Sequence, residues 1–230
     1  MRAKVTCALS ALFVLSFGSS GQQPWKLLGP ADTKKVHDGY FALLSKAKTI
    51  HIVEEYKNGK VLTQAEYWLM KPNMRCMVKG TYDPDKIIHN SVQYMLKDAV
   101  YDINVLNKTY QIFRREPGSP FINGVEPYVS AKRPAFLTTG KVYEGLIGDK
   151  PFYRIETGEQ SIPGSMVSVF VDKDTYTPAG WQYAVAGKGT DVHEYKLFEL
   201  DKPLTAKDFE WTPPADYKLK ADWRKLGAGH

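Results

Sequence analysis

The chain has 230 residues and a formal net charge of +6, with its 31 Lys and Arg scattered among 25 Asp and Glu. No block of like charges occurs, so a nucleic-acid partner is not expected, while attraction to an anionic membrane surface stays open. Two cysteines, Cys7 and Cys76, exclude a disulfide-built scaffold.

Arg2 and Lys4 precede an apolar run from Val5 to Phe17, followed by Gly18-Ser19-Ser20-Gly21. A short basic start, an apolar core and small residues make up a secretory signal peptide, and the run is short for a membrane span. An uncleaved signal anchor has a similar outline. Cleavage is expected near Gly21, leaving residues 22–230 as one soluble domain, exported to the periplasm or beyond. Cys7 lies too early to be the lipid-carrying first residue of a lipoprotein. Cys76 would then be the only thiol left, so the domain must be held by its core.

The first element after the leader is a helix. In "DTKKVHDGYFALLSKAK" (32–48), Val36, Tyr40, Leu43, Leu44 and Ala47 recur at helical spacing, with Asp32 or Thr33 as the N-cap. Strand signals follow. "TIHIVEEYKNGKVLTQAEYWLM" carries Asn58-Gly59, which favours a two-residue type I′ turn. That turn predicts Lys57 opposite Lys60, Ile52 opposite Ala65, and Ile50 opposite Tyr67. One face then gathers Ile50, Ile52, Tyr56, Val61, Ala65, Tyr67 and Leu69, and is the buried one. The other carries His51, Glu55, Gln64 and Glu66, with Val53, Leu62, Trp68 and Met70 among them.

After a corner at Lys71-Pro72-Asn73, Met74, Cys76 and Val78 continue the buried face. "KIIHNSVQYML", "VYDINVL" and "KTYQIFRR" read as short strands, with turns at Asn90-Ser91 and around Asn107-Lys108. Pro117 to Gly140 holds four prolines and no clean period, yet is too rich in Phe, Ile, Val and Leu for a free linker. It reads as a covering loop or short helical lid. Five more strands form a meander, with Asp172 and Asp174 as turn residues, and Pro213-Pro214 stops pairing near the end.

Nucleophile-elbow, zincin and phosphate-loop motifs are missing from residues 22–230. His51, placed beside Glu66 with Glu55 on the same face, is the one arrangement with acid–base or metal potential. A solvated cross-strand pair is the commoner outcome. His193-Glu194 is weaker still, since neighbours along a strand point to opposite faces.

The order of the pieces resembles the LolA-type lipoprotein-sorting carriers of the bacterial envelope. The resemblance rests on the hairpin ending in "YWLMKPN", on "MRCMVKG", "IIHNSVQYML" and "VYD", on the proline-broken middle, and on the closing "VDKDTYTP" and "FEWTPPADY". It implies a mainly β fold with few helices (α+β), an incomplete, strongly curved antiparallel barrel with a helix and loop lid on its concave face. It also implies a non-catalytic binding protein that takes a lipid or a lipidated protein, with no cofactor and no metal. Envelope membrane proteins are further implied partners, and the chain is expected to act as a monomer. Ile50, Ile52, Tyr67, Leu69, Met74, Cys76 and Val78 would border an acyl-chain hollow, roofed partly by residues 121–137. Lys71 stands where the carriers have the arginine that latches the lid, and a lysine lacks arginine's forked geometry. Two alternatives remain: a lipid-sensing regulatory domain, and an exported hydrolase using His51 with Glu55 and Glu66.

Overall fold

A computed structural model describes residues 25–82, 86–115, 125–129, 133–159, 164–185 and 189–225. The leader and part of the roof segment lie outside the described residues. Strand β1 (Lys26–Leu27) leads into helix α1 (Pro30–Lys46). Six strands follow: β2 (Thr49–Asn58), β3 (Val61–Met70), β4 (Asn73–Tyr82), β5 (Lys86–Met95), β6 (Ala99–Asn104) and β7 (Thr109–Arg114). Two single-turn helices, α2 (Glu126–Val129) and α3 (Phe136–Thr139), precede β8 (Val142–Ile147), β9 (Lys150–Glu159), β10 (Ser165–Asp172), β11 (Pro178–Val185) and β12 (Gly189–Leu200). A 3₁₀ turn at Ala206–Phe209 and strand β13 (Lys218–Asp222) close the chain.

All thirteen strands join one sheet, in the order β1-β8-β9-β10-β11-β12-β2-β3-β4-β5-β6-β7-β13. It is curled and not closed, an open half-barrel. Every pairing is antiparallel except β13 against β7. The two meanders meet where β12 lies along β2, so the first hairpin is the spine of the molecule.

The hairpin keeps its predicted faces but not its predicted register. Asn58 pairs with Val61, Ile52 with Tyr67 and Ile50 with Leu69. Gly59 supplies the positive φ of 58° at the first turn position, as a type II′ turn requires, so the turn is Gly59-Lys60. The slip is one whole pleat, and an even shift leaves every side chain on its own face.

Two other expectations change. Helix α1 begins at Pro30, with Gly29 at the N-cap and no side-chain cap, rather than at Asp32 or Thr33. Proline at the first helical position has its φ preset and loses no needed donor. Asp32 falls in the first turn instead, where its charge suits the helix dipole. Strand β5 runs straight through Asn90-Ser91, and the chain reverses after Leu96. Gly39 in mid-helix has a packing role. A Cβ there would lie 2.7 Å from the ring of Tyr176, which presses on the helix from the β10–β11 turn.

A main core holds the molecule together, beside a smaller cluster of Ile147, Phe152 and Phe170. Val36, Tyr40 and Leu44 of α1 join Ile50, Ile52, Leu69, Met74 and Cys76 of the first meander and Val142, Ile155, Val169 and Val171 of the second. Each such large side chain contributes about 1.5–3 kcal/mol by leaving water.

Candidate binding hollow and its cover

The inner face of the sheet, on which α1 lies, carries all seven residues expected to border a hollow. Ile50, Ile52, Leu69, Met74 and Cys76 are buried there, and Tyr67 and Val78 are partly buried and pack against them. They come together because the register sets Leu69 against Met74, Tyr67 against Cys76 and Ala65 against Val78. The cover consists of α1, α2 and α3, with Val125, Tyr128, Phe136 and Leu137 buried in the same core. The roof's expected residues 121–124 and 130–132 lie outside the described chain.

Polar ties between cover and sheet sit at the rim, and Tyr128 is their centre. Its hydroxyl donates to the Lys48 carbonyl at 2.8 Å, with the Leu69 carbonyl at 3.3 Å, and accepts the Lys71 backbone N–H at 3.2 Å. The Lys71 ammonium stands 4.4 Å over the same ring. Burial raises the Tyr128 hydroxyl to about 12, so it stays a donor at any ordinary pH. Desolvation also holds the Lys71 ammonium below its usual range. Lys71 therefore meets the cover as a cation over an aromatic ring and through its backbone.

The arginine chemistry of the corner comes from elsewhere. Arg115 Nη1 donates to the carbonyls of Pro72 and Leu96 at 2.6 and 2.7 Å. A second stitch joins the cover to itself: Arg133 donates to Asp38 of α1 at 2.7 Å and to the Leu137 carbonyl at 2.9 Å.

Sequence reasoning passed over Glu54. It follows Ile50 and Ile52 at strand spacing on the inner face and is 2% exposed. The signal was its place in that run of alternate residues. Its carboxylate bonds the Nδ1 of His193 at 2.6 Å, and that ring lies between Trp181 at 3.7 Å and Tyr56 at 4.3 Å. A buried carboxylate without such a partner would be costly. His193 thus serves Glu54 across the β12–β2 seam, not its neighbour Glu194.

Burial first, then the Glu54 charge, pushes the Cys76 thiol up to about 12, and the same two causes raise the Tyr67 hydroxyl. Under the closed cover this thiol is a packing residue, and it becomes reactive only when opening brings it to water.

The outer face holds His51. It is 5% exposed, stacked on Trp68 at 5.4 Å. Its Nε2 meets Glu66 at 2.7 Å and its Nδ1 meets Glu199 at 2.8 Å, while Glu55 pairs with Gln64 and Lys196 instead. Hydrogen bonds from Lys202 first, and then from His51, hold the Glu199 carboxyl below its usual range. With both ring nitrogens occupied, His51 has no lone pair directed at a substrate. Asp172 is a turn residue, its Oδ1 accepting the N–H groups of Asp174 and Thr175.

A polar cleft of about 230 Å³ opens beside the start of α1, lined by Lys26, Lys35 and Lys173 with Asp32, Glu144 and Tyr153. None of the seven hollow residues lines it.

No family model matches the chain, and no curated relative does either. Among solved structures, an uncharacterised conserved protein from Thermus thermophilus superposes with a TM-score of 0.55 at 10% identity, covering 83% of this chain and 99% of that one. LprF from Mycobacterium bovis gives 0.43 at 7% identity, over 76% of this chain and 96% of its own. A LolA superfamily protein from Nitrosomonas europaea gives 0.32 at 10% identity, over 78% and 97%. The Thermus likeness is one of fold alone. The architecture itself, an unclosed antiparallel sheet with helices on its inner side, has the open half-barrel form expected from the sequence.

Proposed function

We propose that this chain is an exported, non-catalytic binding protein of the bacterial envelope, which carries a lipid or the acyl chains of a lipoprotein between its inner face and the cover. The observation that supports this reading most is the construction of the cover. Its packing on the sheet is apolar, through Val36, Leu44 and the Tyr40 and Tyr128 rings, while among the described residues three hydrogen bonds to the rim converge on the Tyr128 hydroxyl. Such a cover can lift without unpairing a strand, and the surface it leaves is lined by Ile50, Ile52, Tyr67, Leu69, Met74, Cys76 and Val78. Methionine and aromatic side chains adapt to a flexible chain. Lys71 and Tyr128 act as the latch.

The test uses Cys76 as a reporter on the floor of the hollow. Organic extracts of the purified protein should contain lipid, and a fluorescent fatty-acyl probe should bind. Bound probe should slow alkylation of Cys76 in a Tyr128→Phe variant, whose cover is loosened. Empty extracts with no probe uptake would overturn the reading. So would probe binding that leaves the alkylation rate of Cys76 unchanged, because the ligand would then sit elsewhere. Turnover of ester substrates, lost on His51→Ala, would favour the hydrolase.

A further inference from the structure

We infer that the free ends of the β2–β3 and β4–β5 hairpins form a docking surface for an anionic membrane. Val61 pairs with Tyr82, and Tyr82 with Lys86, so the two hairpin ends lie side by side at one end of the sheet. Large apolar side chains stay in water there: Leu62 is 44% exposed, Tyr82 39%, Ile87 42% and Ile88 46%. The sheet pattern explains why they gather. Leu62, Thr81 and Ile87 stand in register across three strands. A bulge at Gly80/Thr81 breaks the alternation of β5 and brings Ile88 beside Gly80 with Val61, on the inner side. The rim is therefore apolar on both of its sides. A soluble sheet gains nothing from this, since either face could carry polar residues at its tips.

Charge identifies the occupant. Lys57, Lys60, Lys79 and Lys86 are exposed around these side chains, and none has an ion pair among the described residues. Asp83 and Asp85 in the intervening sequence leave a positive excess. Lys34, Lys108 and Lys173, by contrast, are held by carboxylate partners. A ring of free lysines around exposed Leu, Ile and Tyr matches a surface of anionic headgroups over acyl chains. The apolar tips enter the headgroup boundary while lysine stems lie along it with their charges in water. No helix among the described residues is long and apolar enough to cross a membrane, and this contact rests on the surface without spanning it. The inference does not require the hollow to be occupied. It adds a place at which the protein meets its source of lipid.

Vesicle cosedimentation of the purified mature chain tests it, using phosphatidylcholine alone and phosphatidylcholine with phosphatidylglycerol. Binding should need the anionic lipid and fall with added salt. The double change Lys60→Glu and Lys86→Glu should weaken it by at least about tenfold, because each lysine near such a surface is worth roughly a factor of five. Leu62→Ser with Ile87→Ser should weaken it too. Leu219→Ser, an equally exposed change at β13, should leave it unchanged. A polarity-sensitive dye on Ile88→Cys, in a Cys76→Ala background, should shift to the blue on anionic vesicles, which guards against a loss caused by misfolding. Equal binding to neutral vesicles, no binding at low salt, or full binding after charge reversal would overturn the inference. Uptake of the acyl probe from water should persist in the tip variants, so failure here is distinct from failure of the hollow.

Discussion

Over the inner face, the cover shares an apolar core with the sheet, and among the described residues the Tyr128 hydroxyl ties it to the rim. Over the outer face, the C-terminal segment is bound by rings and cations. Trp211 packs against Tyr94, Tyr101, Tyr110 and Tyr217 at 5.2–6.3 Å. Arg75 lies 3.9 Å over the Trp68 ring and donates to the Asp208 carbonyl at 3.4 Å. Thr205 and Asp208 form a capping box that fixes the turn carrying Phe209, which is 1% exposed. Both covers bury large side chains. The difference is that the outer one spreads its specific contacts over four strands, while the inner one concentrates them at a point. Contacts at a point can be released together, and segments of low local stability are where opening occurs.

Removing the anchor of the fixed cover should have the largest effect. Phe209→Ala should cost ~3–5 kcal/mol in chemical denaturation, as buried aromatic truncations do. It should lower global stability without selectively exposing Cys76. If instead Cys76 labelling rose with unchanged stability, the two covers would not differ as described.

Tyr128→Phe should cost less, about 1–2 kcal/mol, since it deletes one hydroxyl that serves three backbone groups. Its main effect should be kinetic, with Cys76 alkylated several-fold faster than in the parent protein. An unchanged rate would mean that the rim contact does not govern opening.

The smallest effect should come from His37, on the buried side of α1. Its Nε2 has no hydrogen-bond partner among the described residues. Burial first, and the Arg133 charge next, hold its imidazole below the ordinary value, against a smaller opposing pull from Asp38. The unfolded chain takes up a proton below about pH 6.5, whereas the folded chain resists it. Stability should therefore be level above that pH and decline as pH falls from it toward the depressed folded value. His37→Leu should flatten the decline in melting temperature. A steeper decline in the variant would contradict the assignment.

The faces of the first hairpin were legible because strand alternation has a period of two, and Ile50, Ile52, Tyr67 and Leu69 obey it. Its register was not, because Asn58-Gly59 suits a type I′ turn while the chain uses Gly59 as the first residue of a II′ turn. Nothing local distinguishes the two. Glu54 was missed because an acid on an apolar face is tolerable only with a partner, and that partner, His193, lies 139 residues away. A separation of 148 residues likewise hid the Glu199 contact of His51. Strand β13 reads "KLKAD", in which only Leu219 and Ala221 alternate with polar residues, too short a run to mark a strand, and it lies along the edge of β7. Tyr128 lay in a segment recognised as a cover, but only its hydroxyl's three partners mark it as the point of attachment.

An unclosed sheet must end in two edges, and each edge is a row of unpaired amides that can recruit another chain. Here the first edge is β1, only two residues long and followed, after Leu28, by Gly29 and Pro30. The last is β13, short, parallel and broken by a register shift between Leu219 and Ala221. Antiparallel strand β7, a regular six-residue partner, is thereby withdrawn from contact with neighbours. The curled sheet can thus leave its barrel open to one side and still offer no long template for polymerising edge to edge.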